Sequence, residues 1–305
     1  MSFRVTTNVI TSQVAGMVIG GMFGDRKDIP LLVQPKGIDS LEPLYECASY
    51  DKIWADMQSN SQNTTWAQHI SLSKDFIHTL DSISGVPSSD PDWHVSFDHY
   101  FDNLSSRLCH SKPLPCKIGD PGKCITRTQA DQVFRLGEFE YSYLYRDDPR
   151  SLRAAVAHYG VWVAELASHI RAQMAGKDGK MVYRHNVAHD GSISPLLAIL
   201  QVEEMVWPGM GSEVVFEVFR KAKKGREYGH PRCFGPWCRG DQGEGQGQSQ
   251  GDGEFFIRVL WGGKIMKSSN PDLGELNMLP AERLLEYFDA LVGENASKVP
   301  SLCQR

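Results

Sequence analysis

Hydrophobic positions recur at helical spacing over most of this chain and alternate as strands in only a few places. The clearest stripe runs from Pro149 to Met174, where Leu152, Ala155, Val156, Tyr159, Val163, Leu166 and Ile170 share one face of a helix. Pro280 opens another amphipathic helix, with Leu284, Leu285, Phe288, Leu291 and Val292 on one side. Phe97, Phe101, Leu104 and Leu108 mark a helix within Trp93–Leu108, and helical patterns also fill Tyr45–Ser84 and Thr126–Tyr145. Near the start, Arg4–Thr11 is β-branched and extended, and Ser12–Phe23 follows as a helix. Its apolar, Gly-rich part from Val14 to Phe23 predicts burial. Strand-type runs are Glu213–Phe219, Phe255–Trp261 and the short Lys180–Tyr183. Few strands among many helices predict a three-layer α/β core with a mixed sheet and a helical insertion.

The short strand signal leads into Ala188-His189-Asp190-Gly191, and the helix pattern Ser192–Leu200 follows. Ser194 is placed to cap that helix, with Pro195 at its first turn. A His-Asp pair is thus presented where a strand ends and a helix begins. That is the usual ligand position of α/β sheets, and a helix N-terminus attracts anions. Imidazole and carboxyl together suit a phosphate ester: His189 binds an oxygen and Asp190 protonates a leaving alcohol.

Composition narrows the choice. The chain has 305 residues, 41% of them hydrophobic and 10% aromatic, enough for a substantial core. A net charge of −5 leaves no electrostatic footprint for nucleic acid, and the basic run Lys221–Arg226 is read as a solvated strand end or turn. No apolar run is long enough to form a transmembrane helix, and no signal peptide opens the chain. The seven cysteines lack paired zinc-type spacing. Sequons at Asn63, Asn103 and Asn295, with possible disulfides, favour glycosylation and a secreted or secretory-pathway origin. The chain is then expected to lack its natural beginning. Residues 240–253 form a Gly/Gln-rich low-complexity insert, read as a disordered hairpin tip. Walker-type, G-x-S-x-G and H-E-x-x-H motifs are all missing.

Several motifs, in order, resemble the histidine acid phosphatases, branch 2 of the phosphoglycerate-mutase-like histidine phosphatase superfamily. Phe3-Arg4-Val5-Thr6-Thr7 resembles the family's V-R-S-T-D strand end, and Ala188-His189-Asp190 its A-H-D. Glu46-Cys47 resembles the N-C-P step, and Leu108–Cys116 a C-H-x-x-P-x-P-C cap loop. Val215–Val218 and Arg258–Gly263 resemble the F-E-L and R-V-L-Y-N-G strands. The cap loop and the last strand also resemble the xylose-2-phosphate phosphatase branch.

The resemblance implies one phosphatase-like domain, with an α/β core of residues 1–38 and 150–305 and a helical cap of residues 39–149. Arg4 would clamp phosphoryl oxygens, His189 would stabilise developing charge, and Asp190 would be the general acid. A small phosphomonoester or phosphate is the implied ligand. No metal or cofactor is implied, because arginine and histidine supply the positive charge. The family pattern also implies a disulfide between Cys47 and Cys303.

Departures from the pattern are equally informative. The family's nucleophile stands in R-H-G-x-R-x-P on the first core strand, and this chain has no such motif. The first core strand is expected to be absent, and the chain inactive for want of a phosphohistidine. The alternative is a non-catalytic binding or structural protein. Arg184-His185-Asn186 is a decoy, and His185 is expected to point away from the pocket by strand alternation. Ile10 replaces the strand motif's second arginine, and Gly191 a larger residue.

Overall fold

The computed structural model describes residues 1–304 except 25, 27, 60, 62, 63, 180 and 222–252. In chain order the N-terminal part contains β1 (Ser2–Val5), α1 (Val9–Phe23), β2 (Leu31–Val33), α2 (Ala48–Met57), α3 (Thr65–Ser84) and α4 (Asp98–Cys109). A small hairpin, β3 (Cys116–Lys117) and β4 (Asp120–Cys124), precedes α5 (Arg127–Ser142) and α6 (Ser151–Met174). Then come β5 (Arg184–Val187), α7 (Asp190–Ile199), β6 (Val214–Arg220), β7 (Phe255–Trp261), β8 (Lys264–Ile265) and β9 (Leu279–Pro280). The chain closes with α8 (Ala281–Val292) and α9 (Val299–Cys303).

The core strands fall into two sheets. β1 lies between β2 and β5 in a parallel sheet, with Phe3 opposite Leu31 and His185. β6, β7, β8 and β9 form an antiparallel sheet, β7 pairing along its whole length with β6. The long stripe of α6 packs against α7, α8 and β7, bringing Tyr159, Val163, Leu197, Ile199, Ile257, Val259 and Phe288 into the main core. α3, α4 and α5 enclose a second core around Leu80, Phe97, Tyr100, Leu104 and Val133, within the stretch 39–149 termed the cap. Leu41, near the start of that stretch, is buried in the main core.

Three local expectations change. The first strand ends at Val5 and α1 already begins at Val9, since Asn8 Oδ1 accepts the Ile10 N–H at 3.2 Å and caps the helix. α1 is not buried along its apolar length: Thr11, Ala15 and Ile19 are buried, whereas Val14, Met17 and Met22 face solvent. The small sheet offers it only a narrow contact through Val5, Val187 and Leu31. The strand before the His-Asp pair is Arg184–Val187 rather than Lys180–Tyr183, because its partner β1 starts at Ser2, opposite Arg184.

Candidate active site

β1 and β5 end side by side, and the side chains just beyond them build the site. β1 buries Phe3 and Val5 on one face and carries Arg4 on the other. The Arg4 guanidinium is largely buried and already engaged. Nη1 donates to Glu165 Oε2 at 2.8 Å, and Nη2 to Asp39 Oδ1 at 2.6 Å, to Ser40 Oγ at 3.0 Å and to Gln34 Oε1. Ser40 Oγ in turn donates to Glu165 Oε1 at 2.8 Å. Arg4 Nε and Asp39 Oδ2 are buried without a hydrogen-bond partner among the described residues. The guanidinium fork expected to hold phosphate therefore faces two carboxylates, and an incoming anion has to displace at least one of them.

His189 is the N-cap residue of α7, in extended conformation, and accepts the Ser192 and Ile193 N–H groups on its carbonyl. Its Nε2 lies 3.1 Å from Thr6 Oγ1, two residues after Arg4, and 3.6 Å from Glu42 Oε1. Residues Asp39–Glu42 span the distance between the two groups: Asp39 and Ser40 touch Arg4, Glu42 reaches His189, and the Leu41 carbonyl accepts the Ser192 hydroxyl at 2.7 Å. Arg4 and His189 are thus drawn into one neighbourhood, linked by Thr6 and this segment.

The helix start differs from expectation. Asp190 is already helical, Ser194 is fully buried, and Pro195 lies inside the helix. The bond that Pro195 cannot make is to the Gly191 carbonyl, in the exposed first turn. Asp190 in that turn complements the positive end of the helix.

Asp190 turns toward the cap. Its Oδ2 accepts from Tyr141 OH at 3.0 Å and Trp207 Nε1 at 2.8 Å, and its Oδ1 accepts from the Gly191 N–H at 2.7 Å. Trp207 is sandwiched between Phe101, at 3.9 Å and 8°, and Tyr141, at 4.0 Å and 22°. Burial, with the Tyr145 and Asp190 charges adding, drives the Tyr141 hydroxyl far above the ordinary phenol range, so it stays a donor. On the cap surface Asp102 is pushed up to about 6 by burial, reinforced by the Asp98 and Asp190 charges. The hydrogen bonds consequently divide the expected trio. Arg4 and His189 are held from α6 and residues 34–42, and Asp190 from α5 and Trp207.

The remaining sequence candidates have plain placements. His185 stacks on Phe3 at 5.7 Å, with Nδ1 at 2.6 Å from Tyr183 OH, on the α1 side of the sheet and away from Arg4. Burial lowers its pKa. Ile10 is exposed, and a side chain at Gly191 would meet open space. Cys47 and Cys303 form a disulfide, Cα atoms 4.5 Å apart, and Cys116 pairs with Cys124. Asn103 lies exposed within α4, its Oδ1 accepting from Arg107 Nε, and Asn295 is exposed with φ at 53°. Asn63, Lys223–Arg226 and most of the low-complexity insert lie outside the described residues. Among the described residues no group of three His, Cys, Asp or Glu side chains is placed to hold a metal ion.

No pattern in the sequence marks Thr6, Asp39, Ser40, Glu42, Glu165, Tyr141 and Trp207 together as the partners of these candidates. One of them carries a signal. Glu165 is the sole carboxylate of the 24-residue α6, opposite in charge to Arg153 and Arg171.

No family model matches the chain. Lysophosphatidic acid phosphatase type 6 of Homo sapiens is 23% identical to it over 221 residues, which are 72% of this chain and 48% of that protein. The Pongo abelii protein of the same name matches to the same extent. The chain therefore spans about half the length of these curated relatives. Among solved structures, Klebsiella sp ASR1 phytase superposes with a TM-score of 0.54 at 13% identity, over 97% of this chain and 77% of that one.

Proposed function

We propose that this chain, which belongs at low identity to the histidine acid phosphatase family, forms part of a phosphomonoesterase site. In this reading His189 contacts the phosphoryl group and Asp190 serves the leaving alcohol. The observation that carries it is the placement of both residues at the N-terminus of α7, beside Thr6 and the end of β1. A helix start supplies partial positive charge, and the imidazole, its Nε2 beside Thr6 and Glu42, adds a polar ring nitrogen at that end.

Asp190 fits its role through the cap. Tyr141 and Trp207 fix one of its oxygens, and the other, among the described residues, is shared only with a backbone N–H of its own helix. A carboxyl held in one orientation is what proton delivery to a departing oxygen requires. The chemistry still needs a nucleophile. His185 is on the wrong face of the sheet for it, and R-H-G-x-R-x-P is not in the sequence. The chain by itself is accordingly inactive. A phosphomonoester is the substrate class; the relatives named for lysophosphatidic acid act on a member of that class.

A second reading, a non-catalytic phosphatase-like protein, draws on the Arg4 cluster. Two carboxylates, a serine and a glutamine already occupy the guanidinium, which then acts as a strut. Isothermal titration with tungstate near pH 5 separates the two readings. The phosphomonoesterase reading expects weak saturable binding that His189→Ala abolishes. Absence of binding, or binding indifferent to His189→Ala, would favour the strut.

A further inference from the structure

The cap contains a pocket that shares no hydrogen bond with Arg4, His189 or Asp190. Its volume is about 220 Å³, and Ile70, Lys74, Ile77, His78, Ser88 and His94 line it. Four of these lie on α3 at positions 70, 74, 77 and 78, one helical face. That face places two isoleucines below a lysine and a histidine, while Ser88 and His94 close it from the segment between α3 and α4. An aliphatic floor under a ring of cationic and hydroxyl groups is amphiphilic, and its polar side is donor-rich.

Buried chemistry behind the pocket holds its imidazoles in place. Asp81 is nearly inaccessible, and it accepts Tyr100 OH at 2.5 Å on Oδ1. His94 Nε2 lies 3.2 and 3.1 Å from the two Asp81 oxygens, and His78 Nδ1 lies 3.8 Å from Oδ2. A carboxylate addressed in this way orients the imidazoles, fixing His94 through Nε2 and leaving its Nδ1 edge for a ligand. The Asp81 charge is thereby committed to the histidines. Lys74 has no carboxylate within ion-pair distance among the described residues, so its ammonium is uncommitted at the rim.

From this arrangement we infer that the α3 face of the cap is a binding site for a small organic anion with a short aliphatic part. The anionic head sits among Lys74, His78 and His94, and the aliphatic part rests on Ile70 and Ile77. The pocket is smaller than sites that enclose drug-sized ligands, which limits the occupant to a short chain. A cation is disfavoured, because the Lys74 ammonium repels it and Asp81 is already bound behind the imidazoles.

Histidine ring NMR on the full chain tests the assignment locally, because His78 and His94 report on this pocket and His189 on the other site. The resonances are assigned through His78→Gln and His94→Gln, and the probe is butyl phosphate, with butylammonium as its opposite-charge counterpart. Butyl phosphate is expected to shift both His78 and His94 saturably, and butylammonium neither. Exposed Lys74→Met is expected to weaken binding roughly fivefold, with Lys74→Arg restoring it. Shifts confined to His189, equal shifts with butylammonium, or undiminished affinity in Lys74→Met would each overturn the inference.

Discussion

At the scale of single residues, Arg4 and Asp39 decide how the site is held. Asp39 is almost wholly buried, and Arg4 is its ion-pair partner. Removing the guanidinium leaves a buried carboxylate uncompensated, which typically costs about 3–5 kcal/mol. Arg4→Gln is therefore expected to destabilise the chain by roughly 3 kcal/mol, and Asp39→Asn in the same molecule to recover much of that loss. Denaturant melts of the two single variants and the double variant measure the coupling. Additive losses would show that the pair does not act as one unit.

Asp102 makes a claim about pH at the same scale. Its carboxyl is raised to about 6 by partial burial and by the Asp98 and Asp190 charges. A raised carboxyl binds its proton more tightly in the folded chain than in the unfolded one. Its contribution is complete below the unfolded value and is lost as pH rises through about 6. Asp102→Asn removes that penalty, so its melting temperature should exceed the parent's at pH 7 and match it near pH 3–4. The side chain remains open to solvent on one side, which keeps the effect small. An equal difference at both pH values would contradict the assignment.

At the scale of elements, an aromatic stack beside Asp190 helps to join the cap to the core, and α5 makes room for it with a glycine. A Cβ at Gly137 would stand 2.7 Å from Phe101 Cδ2 and 2.9 Å from Trp207 Cε3. Both rings belong to the Phe101–Trp207–Tyr141 stack that fixes Asp190. Gly137→Ala is expected to cost about 1–3 kcal/mol through overpacking and to shift Trp207 fluorescence as the indole moves off Asp190. Unchanged stability and emission would mean that the stack tolerates the methyl group.

The elements also show what local sequence can carry. β7 and the α6 stripe were legible because alternation and helical spacing are written in adjacent residues. The His-Asp tetrad was legible too, although its helix begins four residues before the serine expected to cap it. The start of α1 was missed because its signal is one polar residue, Asn8, inside a β-branched run. The Arg4 partners were out of reach for a different reason. Gln34, Asp39 and Ser40 come from an irregular segment, and Glu165 lies 161 positions away, so no periodicity links them.

At the scale of the whole molecule, the Cys47–Cys303 bridge ties the entrance of the cap to the C-terminal helix across 256 positions. A bridge over so long a loop typically adds about 2–5 kcal/mol. It joins α2 to α9, both of which pack on α6, so cap and core share one anchoring helix. The disulfides, and the absence among the described residues of a helix long and apolar enough to cross a membrane, are compatible with a secreted or lumenal protein.

In the proposed reading the site has its acid, Asp190, and its phosphate-facing histidine, His189, but lacks a nucleophile. Hydrolysis of p-nitrophenyl phosphate at about pH 4–6 tests this directly, with the chain alone and with the chain joined to a strand bearing R-H-G-x-R-x-P. No turnover is expected from the chain alone, turnover from the joined form, and its loss on Asp190→Ala. Turnover by the chain alone that disappears on His185→Ala would contradict this reading.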